Sequence, residues 1–167
     1  MNVQFPMDEE LFFSNNIPDP VRRLLQQAID TYEETEKSEK LLLEAKRLAP
    51  AQLEVYIALY KFYFYKKRLT EAQKIAQATL EKAAEMGGFT ADWKQLFPQS
   101  AQWTKADSVE RVYLYTMKAL GFIRLRLLDF AGSEEILNKL QILDPHDQVG
   151  GSVILELAAN LKETVNG

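Results

Sequence analysis

The chain has no cysteine and only one histidine, His146, among its 167 residues. Without thiols there can be no disulfide framework and no thiolate site for a metal ion. No apolar run approaches the roughly 18 residues that a membrane-spanning helix requires. The first residues are acidic and lack the basic start of a secretory signal peptide. These absences predict a cytoplasmic protein that needs neither a metal nor a cofactor.

An excess of positive charge is also missing. The chain has 20 basic and 24 acidic residues, which gives a net charge of −4. A sequence-independent nucleic-acid binder needs surplus Lys and Arg to displace the counterions of the phosphates, so we expect no nucleic-acid partner. Apolar residues make up 47% of the chain, which is enough for the core of one domain or of a short repeat array.

The sequence contains little that could perform catalysis. His146 lies between Pro145 and Asp147 in a predicted turn, with no serine or cysteine nucleophile pattern to accompany it. The Gly150-Gly151 pair lacks both of the glycine spacings that cradle phosphates. We therefore predict that the protein is not an enzyme.

The most informative stretch runs from Met117 to Pro145 and reads as a helix, a short turn, a second helix and a proline stop. Small and apolar residues occur in it at the spacing of the W-x2-L-G-x2-Y, A-x3-F and P pattern; they are Leu120, Gly121, Ser133, Leu137 and Pro145. On these residues the chain resembles the tetratricopeptide-repeat family. The resemblance implies that Gly121 packs tightly against a neighbouring helix.

The same frame recurs upstream. Leu59 follows Leu25 by 34 residues, and Leu120 follows Leu59 by 61, which is one period of 34 and an insert of 27. The resemblance therefore implies an all-α array of three helical hairpins in a single domain, 19–167, after an irregular lead-in, 1–18. The expected hairpins cover about 19–50, 51–87 and 107–145, with an insert at 88–106 and a capping helix at 147–164.

The insert carries Phe89, Trp93, Phe97 and Trp103, which is more aromatic surface than a solvated linker holds. We expect it to fold back on the array, with a short helix over 92–96. Trp93 and Trp103 either close a binding groove as a lid or simply pack against the helices.

Polar residues mark the expected starts of the two helices that follow the insert. Asp107 with Glu110 fits a capping box, in which side chains satisfy the first free N–H groups of a helix. Asp129 is placed to cap the next helix. This chemistry predicts a helix from Ser108 and another directly after Asp129.

In the tetratricopeptide-repeat family the first helix of each hairpin lines a concave groove. The resemblance places ten residues in this groove: Arg23, Gln27, Ile57, Lys61, Phe64, Tyr65, Tyr115, Lys118, Phe122 and Arg126. Cations among aromatics would hold a protein or peptide with an acidic segment. The open alternative is that these aromatics belong to the core and that the cations are solvated.

The sequence thus indicates a protein-interaction module of a bacterial type, acting as a scaffold, adaptor or assembly factor that holds an extended or helical partner segment. One alternative is a structural protein that self-associates, for example as a homodimer, through an exposed edge of the array. Another is a small-ligand-binding protein or enzyme that uses a pocket under the insert.

Overall fold

A computed structural model describes residues 16–166, so nearly all of the expected lead-in lies outside the described residues. The described chain is all-α, as predicted, with seven α-helices, two 3-10 turns and no strand. The α-helices are α1 (Asp19–Asp30), α2 (Thr35–Leu48), α3 (Leu53–Tyr65), α4 (Leu69–Gly87), α5 (Val109–Arg126), α6 (Phe130–Leu143) and α7 (Gly151–Asn166). The 3-10 turns cover Trp93–Gln95 and Pro98–Ser100.

The chain divides into two compact units, and the boundary between Ile75 and Ala76 lies inside α4. The first unit contains α1, α2 and α3, and α2 contacts both of its neighbours. The second unit contains the two 3-10 turns and α5 to α7, and α6 contacts both α5 and α7. Each unit therefore has its own helix packing.

In the first unit, the buried face of α1 follows directly from its sequence. Val21, Leu25 and Ala28 recur every three to four residues, so they share one side of the helix, and all three are buried. The hydroxyl of Ser38 in α2 donates a hydrogen bond of 2.9 Å to the backbone carbonyl of Ala28. This bond satisfies a buried hydroxyl where two small residues let the helices approach closely.

A hydrogen bond of the same kind, from a serine hydroxyl to a backbone carbonyl, joins α5 to α6 in the second unit. The hydroxyl of Ser133 donates a hydrogen bond of 2.7 Å to the backbone carbonyl of Gly121, in a buried environment. A Cβ atom on Gly121 would lie 2.6 Å from the side chain of Leu137. The predicted tight packing of Gly121 is therefore confirmed, and its neighbour is another residue of the same sequence pattern.

The helix starts agree only partly with the capping predictions. The N-cap of α5 is Ser108, whose hydroxyl accepts from the backbone N–H of Arg111. The expected cap at Asp107 is wrong by one residue, since Asp107 itself adopts a left-handed backbone conformation with φ of 52°. Asp129 is confirmed as a cap, because its carboxylate accepts from the backbone N–H of Gly132 at 2.9 Å.

The last helix begins later than expected, at Gly151 instead of residue 147. The carboxylate of Asp144 accepts from the backbone N–H groups of Gln148 and Val149, both at 3.0 Å, and so holds these residues in a turn. Gly151 then lets α7 approach α6, since a Cβ atom there would lie 2.6 Å from Leu140.

The insert folds back on the helices of the second unit, as predicted. The ring of Phe89 contacts those of Trp103 and Tyr113 edge-on, with centroid separations of 5.2 and 5.0 Å. The Tyr113 hydroxyl donates to the carbonyl of Ala91 at 2.8 Å, which fastens the insert to α5. The short helix expected over 92–96 is a 3-10 turn over Trp93–Gln95.

The two tryptophans of the insert differ from Phe97 in their exposure to solvent. Trp93 and Trp103 are buried, whereas Phe97 is 59% exposed. The indole N–H of Trp103 donates to the carbonyl of Phe97 at 3.0 Å. Both tryptophans are therefore packed within the second unit, and their role as a lid stays a prediction.

The close approach of α5 and α6 gives the first prediction. Gly121→Leu would force a branched side chain into the space of Leu137, and overpacking of this kind costs about 1–3 kcal/mol. The free energy of unfolding, measured by urea denaturation, should fall by that amount. The control Ala159→Leu adds the same side chain at an exposed position of α7 and should change stability by less than about 0.5 kcal/mol. Equal stability of the Gly121 variant and the wild type would contradict the packing described above.

Candidate partner-binding surface

One row of side chains along α5 alternates cations with aromatics. It consists of Arg111, Tyr115, Lys118, Phe122 and Arg126, spaced by four, three, four and four residues. At about 3.6 residues per turn these positions share one side of the helix. None of the five is fully buried, in contrast to Met117, Leu120 and Gly121, which face the packed interior. We call these five residues the α5 row.

The side chains of the α5 row contact one another and the loop before α7. The ammonium group of Lys118 lies over the ring of Tyr115, 4.9 Å from its centroid, in a cation–π contact. The guanidinium of Arg111 donates to the side-chain oxygen of Gln148 at 2.8 Å. Its Nε atom is buried and has no hydrogen-bond partner among the described residues. The Arg111 side chain is therefore held against the loop before α7 with one of its N–H groups unbonded.

Asp147 supplies a negative charge beside the row. The side chain of Ser152 donates a short hydrogen bond to its carboxylate, and this bond, with the backbone N–H of Ser152, holds the pKa of Asp147 below its ordinary value. Gln141 and the positive charge of Lys118 act in the same direction. Because the hydrogen bonds from Ser152 are the largest of these effects, Asp147 is mainly the anchor of the start of α7, and only secondarily a neighbour of Lys118.

In the first unit the predicted site residues lie on α1 and α3. Arg23 and Gln27 are exposed on α1, four residues apart, and Lys61 and Phe64 are partly exposed on α3. The ring of Tyr65 is 46% exposed and meets that of Phe64 edge-on at 5.6 Å. Apart from Ile57, the predicted site residues of each unit therefore lie at partly or fully exposed positions.

The structure corrects the position that was expected for Ile57. It was expected to line a groove, but it is only 2% exposed and belongs to the core. The reason is that α3 is buried on almost every side, with ten of its thirteen residues buried. A helix that is apolar all round is a buried helix, and this signal was present in the sequence.

Sequence reasoning missed a charged network in the first unit. The carboxylate of Glu39 in α2 accepts from the Tyr63 hydroxyl at 2.7 Å and from the Arg68 guanidinium at 3.0 Å. The Arg68 guanidinium also lies 4.8 Å from the ring centroid of Tyr63. Hydrogen bonding by Arg68 lowers the pKa of Glu39, while burial followed by the Glu39 bond raises that of Tyr63. The network joins α2 to the end of α3, and no short sequence motif predicts it.

The histidine and acidic side chains of residues 16–166 do not gather into a metal site. No group of three or more His, Asp or Glu side chains is placed there to hold a metal ion. His146 is exposed in the turn after α6, as its sequence context suggested. No helix of the described chain is both long and apolar enough to cross a membrane.

Comparison with known proteins gives one family relationship. No family model matches the chain, and no solved structure matches it. The chain is similar to the "Uncharacterized 19.8 kDa protein in nifW 5'region" of Azotobacter chroococcum mcd 1, with 31% identity over 124 residues. The match covers 73% of this chain and 70% of that protein. The chain therefore belongs to the same family as the Azotobacter protein.

The network around Glu39 gives the second prediction. A folded-state pKa below the unfolded value means that the ionised carboxylate contributes stability above about pH 4.3, which is lost as the pH falls through the folded-state value. Since the Arg68 side chain is 37% exposed, we expect Glu39→Gln to cost about 1 kcal/mol at pH 7. Denaturation in urea at several pH values measures this difference, which should shrink on acidification below pH 4.3 or so.

Glu36→Gln, at an exposed position of the same helix, is the matched control for Glu39→Gln. It should change stability little, and equally at every pH. A constant difference between the wild type and Glu39→Gln from pH 7 to pH 3 would show that the carboxylate contributes through packing and not through its charge.

Proposed function

We propose that the protein is an interaction module, an adaptor or assembly factor, that holds an acidic segment of a partner protein along the α5 row. The observation that carries the proposal is the alternation of Arg111, Lys118 and Arg126 with Tyr115 and Phe122 on a chain whose net charge is −4. In a protein that is acidic as a whole, an aligned set of cations is a distinct electrostatic feature.

The chemistry of the α5 row suits a segment that combines carboxylates with apolar groups. The row is about 22 Å long at about 1.5 Å per residue, which is enough for several side chains of a partner. Arginine can bind a carboxylate through two parallel hydrogen bonds, and the aromatic rings can shield apolar groups from water. The cations would also steer an acidic segment towards this row and away from the acidic remainder of the surface.

The resemblance to tetratricopeptide repeats supports the same reading. That family binds partner segments along the first helices of its hairpins, and α5 is the first helix of the expected third hairpin. In the first unit the corresponding exposed positions are Arg23 and Gln27 on α1 and Lys61, Phe64 and Tyr65 on α3. We propose that these positions, like the α5 row, contact the polar and apolar groups of a partner segment.

The name of the Azotobacter relative suggests where a partner can be sought. That protein is described by its place in the nifW 5' region. We propose that proteins encoded in such a region are the first candidates for the partner, because functionally linked bacterial genes are often adjacent. A pull-down with the full chain from its native cell, followed by mass spectrometry, would identify the partner and allow its acidic segments to be synthesised as peptides.

Charge reversal within the α5 row gives the third prediction. A single exposed ion pair contributes only about 0–1 kcal/mol, so the test reverses Lys118 and Arg126 together. The variant Lys118→Glu with Arg126→Glu should bind the partner peptide about tenfold more weakly at low salt, or about 1.4 kcal/mol. The salt dependence of the affinity should also become smaller. Titration calorimetry at two salt concentrations measures both effects.

The matched control for this prediction is Lys74→Glu with Lys105→Glu, which makes the same change in net charge at exposed positions elsewhere. The control should retain nearly all of the affinity, because long-range charge alone is screened. If the α5 variant, with unchanged helicity, kept wild-type affinity at low and at high salt, the α5 row would not be the binding surface.

A further inference from the structure

The loop before α7, residues 144–150, lies against the α5 row. The Oε1 atom of Gln148 accepts a hydrogen bond of 2.8 Å from the Nη2 atom of Arg111. One position earlier in the loop, Asp147 lies within electrostatic range of Lys118. Two of the three cations of the row therefore already have an oxygen acceptor or a carboxylate of the same chain nearby.

The amide of Gln148 uses only half of the edge that Arg111 presents to it. The Nε–H and one Nη2–H of an arginine point in the same direction, so the two oxygens of a carboxylate can accept from both at once. The single oxygen of the Gln148 amide takes the Nη2–H, while Nε is buried and has no hydrogen-bond partner among the described residues. Because an unbonded buried donor is unfavourable, this edge of Arg111 suits a carboxylate better than an amide.

The backbone of Gln148 is held in place independently of its side chain. The buried carboxylate of Asp144 accepts from the backbone N–H groups of Gln148 and Val149, both at 3.0 Å. Gln148 itself is exposed, so its amide can exchange Arg111 for water at little cost in free energy. The side chain can therefore leave Arg111 without any change in the loop.

Neither acidic residue of the loop takes the place of this amide. Both oxygens of Asp144 accept from the backbone of the loop itself. Asp147 accepts from the hydroxyl and the backbone N–H of Ser152 and from the side chain of Gln141. The loop therefore gives the charged guanidinium of Arg111 a neutral acceptor, although two carboxylates lie in the same seven residues.

We infer that the Nε–Nη2 edge of Arg111 binds one carboxylate of the acidic partner, and that the Gln148 amide holds this edge in the free protein until the carboxylate displaces it. The exchange makes the site selective, because only a ligand with a stronger acceptor than an amide gains from it. This inference rests on the function proposed for the α5 row, and it adds a competing group of the chain's own to that site.

The probe is a synthetic peptide of 12 residues in which four glutamates alternate with leucines and tyrosines, and its binding to the full-length protein is measured by titration calorimetry. Gln148→Ala removes the competing amide and should raise the affinity about threefold. Gln148→Glu gives the edge of Arg111 an internal carboxylate and should lower the affinity about tenfold. A second peptide, with glutamine in place of each glutamate, should bind more weakly and respond little to either substitution.

His146→Glu is the matched control for Gln148→Glu. It makes the same change in net charge at an exposed position of the same loop, and it should lower the affinity less than about twofold, since an exposed charge is screened. Because His146 and Gln148 are both exposed, circular dichroism should show that all of these variants stay folded.

Nuclear magnetic resonance tests the edge of Arg111 without any peptide. The Nε–H signal of Arg111 is identified by its loss in Arg111→Lys. In Gln148→Glu this signal should move downfield, because the proton gains a carboxylate acceptor where it had none. The same movement should occur in the wild type when the acidic peptide is added.

An unchanged Arg111 signal in Gln148→Glu would overturn the inference, and so would equal affinities of the wild type, Gln148→Ala and Gln148→Glu for the acidic peptide. The function proposed for the α5 row is judged separately, by Lys118→Glu with Arg126→Glu. If that variant binds more weakly while the Gln148 variants match the wild type, the function stands and the role of Gln148 is rejected. Equal binding of the acidic and the glutamine peptide to the wild type would reject both.

Discussion

The structure depends on the close approach of paired helices at small residues. Gly121 can lie against Leu137 only because it has no side chain, and the Ser133 hydroxyl reaches the Gly121 carbonyl only at that separation. Ser38 and Ala28 repeat the arrangement in the first unit. A helix of this length cannot bury its apolar face alone, so these contacts determine which side of each helix is buried and which side is exposed.

The side of each helix that is used for packing determines which side chains are left exposed. Because α5 uses Met117, Leu120 and Gly121 for packing, the alternating cations and aromatics of the α5 row are left on another side of the helix. In the same way, α7 packs through Gly151 and Ala158 and leaves Val153 and Leu157 exposed.

Features set by local sequence were predictable. The all-α class and the cap at Asp129 depend on residues close together in the chain. The tight packing at Gly121 and the docking of the insert join residues that are farther apart, but the repeat spacing and the cluster of aromatics predicted them. The cap of α5 was placed one residue early because Asp107 and Ser108 are both good caps, and only the backbone conformation decides between them. Within the α5 row, Arg111 was missed although it lies four residues before Tyr115, since it stands at the edge of the expected helix.

Features that join distant residues were not predictable in this way. Glu39 meets Tyr63 and Arg68 across 24 and 29 residues, and nothing in the local sequence around any of the three indicates the contact. Ile57 was placed in the groove by its register within a repeat, although the apolar residues on every side of α3 already indicated that it is buried. Register within a helix can be read from spacing, but the number of neighbours around that helix depends on tertiary structure.

Chemical labelling of lysines tests the central claim, that a partner lies along the α5 row, most directly. The full-length protein is acetylated with and without its captured partner, and the modification of each lysine is followed by mass spectrometry. The account predicts that the partner slows modification of Lys118 and leaves Lys74 and Lys105 unchanged. Equal modification of Lys118 in the free and the bound protein, with protection elsewhere, would contradict it.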